Sequence, residues 1–229
     1  MKNYLLRFRL LFCLLLPGAI SPLMAETVEQ WQVAELSFQT EEVKSDPFLV
    51  EFGALLIHNS GVSLRVPGFF NGNGEWLLRF CPDKTGGWSY TTFSSLPELA
   101  GKTGTITVTD NTRDWQRGPL KISPRNPQRF MYADGSPYVL MAFELDWLFA
   151  LDAENTKGIP RTAQIVQKVR ENGFNQIVMN VFAYDAGWGE KDRIQAEDNF
   201  ARPTVFPFGG SNETPDFSTL NVAYFQQLD

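Results

Sequence analysis

The chain has 229 residues with 26 acidic and 20 basic side chains, a net charge of −6, and a single histidine, His58. An acidic chain without a basic stripe is a poor match for nucleic acid or an anionic membrane surface, and one histidine excludes a zinc site built on several. No cofactor-binding pattern is present either: there is neither a phosphate-cradling glycine loop nor a nucleophile elbow.

The first segment reads as a leader. Lys2, Arg7 and Arg9 precede an apolar run from Leu10 to Ile20, and Leu23-Met24-Ala25 supplies a small-residue cut site. That order is the layout of a secretory signal peptide, and the run is shorter than the roughly 20 residues a bilayer needs. The expected product is exported, periplasmic or extracellular, cut after Ala25, with no membrane insertion afterwards. Loss of residues 1–25 leaves 17 basic against 26 acidic residues, and Cys81 as the sole cysteine, so no intramolecular disulfide is available.

Residues 26–112 read as an all-β sandwich. Apolar runs at Trp31–Phe38, Phe48–His58, Val62–Phe70, Trp76–Cys81, Trp88–Phe93 and Thr103–Thr109 are separated by turn chemistry, the pattern of short antiparallel strands. Asn71-Gly72-Asn73-Gly74 offers positions that tolerate positive φ, as tight hairpins require. Trp76, Leu78 and Phe80 alternate, as do Trp88 and Tyr90; core is the better reading for these rings than a glycan-binding strip. The spacing of Asn73, Glu75 and Asp83 fits no calcium loop.

Residues 113–128 read as a linker, and residues 129–229 as the opening of an α/β barrel. A hairpin around Gly135-Ser136 feeds a buried strand; Ile165–Glu171 has helical spacing and ends at Asn172-Gly173. Phe174–Tyr184 is a nearly continuous apolar strand, so that strand, helix and strand make a βαβ unit. Val222–Leu228 reads as the start of another helix. A complete (β/α)8 barrel needs about 250 residues, so the expectation is an incomplete barrel on a chain cut short, inactive by itself.

Two stretches resemble known families. Val66-Pro-Gly-Phe-Phe-Asn-Gly-Asn-Gly-Glu-Trp76 and Arg79-Phe-Cys-Pro-Asp-Lys-Thr-Gly-Gly-Trp-Ser-Tyr90 resemble DUF5060, an immunoglobulin-like sandwich. Tyr132-Ala-Asp-Gly-Ser-Pro137 and Asn172-Gly-Phe-Asn175 are similar to the start of the DUF4038, or apiosidase-like, barrel, from which Phe143-Glu-Leu-Asp-Trp147 departs. The resemblance implies a glycoside hydrolase acting on a carbohydrate substrate.

Such chemistry uses two carboxylates flanking the scissile bond, expected here from later strands, so no catalytic residue is assigned. Glu144 and Asp146 share one side of a strand and suit sugar hydroxyls or, for Asp146, a helix cap over the turn from Trp147 to Leu151. Trp147 joins them as a substrate contact. On the next strand Asn180 and Tyr184 lie towards the C-terminal end, where barrels place their sites. Trp188, between two glycines in the long loop 185–216, is the favoured sugar platform; packing within the loop is the competing role. The alternative function is a non-catalytic module in which the sandwich holds a glycan or a protein. Neither the sugar nor the oligomeric state is legible.

Overall fold

In the computed structural model the described residues are 24–41, 46–145, 148–152, 155, 157–181, 206–211 and 214–229. The chain is mostly β, with two α-helices among these residues. Seven strands form the sandwich: β1 (Met24–Glu29), β2 (Ala34–Gln39), β3 (Phe52–His58), β4 (Ser63–Gly72), β5 (Glu75–Phe80), β6 (Gly86–Ser94) and β7 (Thr103–Thr109). Their order is β1-β7-β6-β3-β4-β5-β2, with β1 and β7 parallel and every other pair antiparallel.

The sheet folds over because β4 serves two partners. Its Ser63–Pro67 half pairs with β3, and its Gly68–Gly72 half pairs with β5. At the change, a Cβ on Gly68 would run into the Phe52 ring, so the lack of a side chain there lets the two layers close. Rings from strands distant in the ladder then meet across the core. Phe38 on β2 lies edge-on to Phe52 on β3 at 5.5 Å, Phe52 to Trp76 on β5 at 5.7 Å, and Phe80 to Trp88 on β6 at 4.9 Å. Offset and edge-on pairs of this kind add to the burial itself.

The expected alternation holds: Trp76, Leu78, Phe80, Trp88 and Tyr90 are all buried in this core. Each large apolar side chain so removed from water contributes about 1.5–3 kcal/mol. The β4–β5 hairpin turns through positive φ at Gly72, Asn73 and Gly74, as its composition demands.

The first strand differs from the sequence reading. Trp31 sits in a left-handed turn (φ 67°) between β1 and β2, where its N–H donates to Pro82 O at 2.8 Å. The apolar character of Trp31 and Val33 suggested strand, but the turn reverses the chain between two strands instead. The buried indole of Trp88 donates to Lys84 O (3.1 Å), and the imidazole of His58 lies against its ring at 4.8 Å. His58 Nδ1 accepts the Ser60 N–H (3.2 Å), which leaves Nε2–H to donate to Thr85 O (3.0 Å). The lone histidine therefore pins two turns together, and no ligand role is needed to explain it.

The expected linker carries structure of its own. Strand β8 (Leu120–Ile122) pairs antiparallel with β9 (Phe130–Tyr132), Lys121 opposite Met131. The turn expected at Gly135-Ser136 is present, closed by Tyr132 N–H to Ser136 O at 2.9 Å. Beyond it, β10 (Ala142–Glu144), α1 (Pro160–Glu171) and β11 (Gln176–Val178) form a parallel βαβ unit. Helix α1 starts on Pro160 and stops at Asn172, with Gly173 at φ 83°. The strand expected over Phe174–Tyr184 is only three residues long among the described ones, and residues 182–184 lie outside them. Nothing among the described residues forms a barrel; the parallel sheet has two strands. A final helix, α2 (Val222–Leu228), is capped by Asn221, whose Oδ1 accepts the Tyr224 N–H.

Candidate functional site

The two parallel strands sort their side chains into two faces. In register, Phe143 stands beside Ile177 and Glu144 beside Val178, and parallel partners point the same way. Phe143, Ile177 and Met179 therefore share one face. Phe143 meets Phe174 edge-on at 5.3 Å, and Ile177 lines a groove with Val166 and Val169 of α1. The other face carries Ala142, Glu144, Gln176 and Val178, and the parity continues to Asn180. This face is exposed at each of these residues.

Glu144 ends β10 and Asn180 follows β11 by two residues, so both stand at the C-terminal ends of adjacent parallel strands. Crevices at such ends are where open and closed parallel sheets take ligands. Gln176, on the same face but lower, accepts the Tyr138 hydroxyl at 2.8 Å. Asn175 ties the strand base to the preceding segment, donating to Val139 O (2.7 Å) and accepting from Met141 N–H (3.0 Å). The resulting surface offers a carboxylate and an amide to hydroxyl groups. Of the six residues singled out in the sequence, these two are brought together; Asp146, Trp147, Tyr184 and Trp188 lie outside the described residues.

One carboxylate escaped the sequence reading. Asp152, 2% exposed, closes a short 3-10 turn (Leu148–Asp152) and receives the Thr162 N–H at 2.7 Å and the Arg161 N–H at 3.4 Å. Burial opposes its charge, yet the Thr162 and Arg161 donors outweigh that and hold its carboxyl below the usual aspartate value. Asp152 therefore caps α1 at a distance of nine and ten residues, beyond the reach of a local capping signature. The carboxylate is occupied with structure. Among the described residues no group of three or more His, Cys, Asp or Glu side chains could hold a metal ion.

A second groove, about 310 Å³, separates the outer face of β4–β5 from α2 and is lined by Phe48, Phe69, Phe70, Leu220, Val222 and Phe225 among others. Its polar rim is already paired: Gln226 donates to Asn71 O at 2.7 Å, and Arg79 holds both Glu35 and Asp229. It is the seam along which α2 docks on the sandwich.

Among solved structures, the chain is similar to a protein from Bacteroides vulgatus ATCC 8482 described as a "putative glycoside hydrolase", with 26% identity and a TM-score of 0.69. The match covers 89% of this chain but 38% of that one, so the chain spans well under half the length of its relative. Weaker likenesses are to the Lin-41 filamin domain (14% identity, TM-score 0.30, covering 40% of this chain and 88% of that one) and to the ZIG-8 IG1 domain (10%, 0.25, covering 39% and 81%). No curated protein sequence gives a significant match. Residues 27–95, which run from β1 through β6, match the family model described as "Domain of unknown function (DUF5060)".

Proposed function

We propose that this chain is the sandwich and first βαβ unit of an exported carbohydrate-active protein, whose whole form is a glycoside hydrolase with a (β/α) barrel of the apiosidase-like kind. The observation that carries the reading is the likeness, over 89% of the chain, to the Bacteroides vulgatus protein described as a "putative glycoside hydrolase". The placement of Glu144 and Asn180 supports it, because a barrel completed from β10 and β11 would gather both at its active mouth. Glu144 and Asn180 then hydrogen-bond sugar hydroxyls, with Asp146, Trp147, Tyr184 and Trp188 as further contacts.

Glycoside hydrolysis needs a carboxylate on each side of the scissile bond. Among the described residues, Glu144 is the one carboxylate on the polar face of β10–β11, which favours glycan binding over turnover for the 229-residue chain itself. A panel of plant, algal and bacterial oligosaccharides tests this. Measured by calorimetry, the reading expects binding without release of reducing ends, and roughly tenfold weaker binding on Asn180→Ala or Glu144→Gln. Clear turnover by this chain, or binding indifferent to both substitutions, would overturn it.

A further inference from the structure

The overall negative charge conceals a positive stretch. Between residues 113 and 129 there are five basic side chains, Arg113, Arg117, Lys121, Arg125 and Arg129, against one carboxylate, Asp114. That is a local charge of +4 in a chain of −6. Arg113 is half-buried and stands 3.5 Å from Glu29. The other four are exposed, and none of them forms an ion pair among the described residues. Arg117 lies over the Tyr132 ring at 5.6 Å and its charge acts on the Asp134 carboxylate, which leaves Lys121, Arg125 and Arg129 as cations with no carboxylate partner among the described residues. Such a run on an acidic protein favours a partner of opposite sign.

The stretch borders a groove. Trp115, 70% exposed, lines a depression of about 450 Å³ together with Arg170, Asn175 and Gln176, over a floor that includes Val169, Phe174 and Ile177. Arg170 is exposed near the end of α1 and also has no ion pair among the described residues. This groove lies on the Ile177 face of β10–β11, opposite the face of Glu144 and Asn180, so it is separate from the surface discussed above. Its size falls within the range of small-molecule sites.

We infer that the Trp115 groove binds one unit of a carboxylate-bearing polysaccharide, a polyuronate, while Lys121, Arg125 and Arg129 hold the flanking anionic units. The inference rests on the carbohydrate-active reading. The exposed indole offers a flat apolar surface to the C–H face of a sugar ring. Arg170 supplies what a neutral sugar would not need. A guanidinium takes a carboxylate through two parallel N–H···O bonds. The basic residues beyond raise the local concentration of a polyanion and make its capture salt-dependent.

Affinity electrophoresis and calorimetry on the whole chain test this with two polyuronates, alginate and polygalacturonate, and with their carboxyl-reduced neutral forms. At low salt at least one polyuronate should retard the protein, with the reduced polymer about tenfold weaker. Trp115→Ala and Arg170→Ser should each weaken binding by about tenfold with an unchanged circular dichroism spectrum, and the double change Lys121→Ser with Arg129→Ser should flatten the salt dependence. Equal binding of charged and reduced polymers, binding unaffected by Trp115→Ala, or failure with both polyuronates would overturn the inference. Stronger binding of a sulfated glycan, duplex DNA or anionic vesicles would overturn it too, as mere polyanion attraction. Because the readout is binding to the Trp115 face, loss of hydrolysis or of Glu144-dependent binding would leave it standing.

Discussion

Arg79 on β5 and Asp229 after α2 meet through two nitrogen–oxygen contacts of 3.0 and 2.6 Å, although 150 residues separate them in sequence. The same guanidinium also holds Glu35 on β2 at 2.7 Å. Two carboxylates push the arginine's pKa upward, well beyond its ordinary value. One side chain thus joins an outer strand pair of the sandwich to the last helix.

Arg79→Ala should loosen α2 without unfolding the sandwich. The partners are about half exposed, so solvent and salt screen the pairs and the expected loss is about 1 kcal/mol or less. Amide exchange should speed up at Val222–Leu228 and hardly change in β3 or β6; equal acceleration in both would contradict a local latch.

Asp152 gives the second unit an acid limit. Its folded-state pKa is depressed, so its contribution is fully present above the ordinary aspartate range and disappears as pH falls through the lower folded value. Asp152→Asn should cost roughly 1–2 kcal/mol at neutral pH and flatten this part of the acid denaturation curve. An unchanged curve would mean another group sets the limit.

Tyr90 and Glu26 present the opposite case. Tyr90 Oη and Glu26 Oε2 are buried without a hydrogen-bond partner among the described residues. Burial, and then the Glu26 charge, raises the Tyr90 pKa; burial likewise raises that of Glu26. A raised carboxyl contributes stability fully below its unfolded pKa, and that contribution is lost as pH rises through the folded value. Glu26→Gln should therefore be neutral or stabilising at pH 7, and Tyr90→Phe should cost less than about 1 kcal/mol. A larger loss in urea titrations of Tyr90→Phe would show that the hydroxyl is satisfied in solution.

Gly68→Val examines the fold of β4. The new side chain would collide with the Phe52 ring and with Leu77 O, and overpacking of this sort costs about 1–3 kcal/mol. Melting should fall accordingly, with partial recovery in the double variant Gly68→Val, Phe52→Leu. No recovery would place the strain in the backbone.

The sandwich was legible because its signals are local. Period-two alternation at Trp76–Phe80 and Trp88–Tyr90, and the Gly-Asn-Gly turn, each specify conformation within a few residues. What escaped was set by distance. β1 is a six-residue strand held by pairing with Thr109 and its neighbours some 80 residues later, and Glu-rich, half-exposed sequence gives no alternation of its own. β8 lay hidden in a segment whose prolines read as linker, and Asp152 caps a helix from outside its first turn. At the candidate site, parity along the strand separates Asn180 from Ile177 and Met179, and the register adds Glu144 beside Val178 on the Asn180 side. The Trp115 groove was invisible for another reason: its basic residues are diluted in an acidic total, and its walls come from the linker, α1 and β11.

The pairing of β1 bears on timing. Ala25 and Glu26 occupy successive rungs opposite Thr105 and Ile106 of β7. A processing protease must draw its substrate out extended and unpaired, whereas a rung of a sheet is already engaged. On the proposed export, a leader cut after Ala25 would have to leave before this margin of the sheet zips shut, and four rungs, Glu26 to Glu29, would remain to close it. Maturation and the final step of folding would then occur in a fixed sequence, with the cut first and the edge strand seated last.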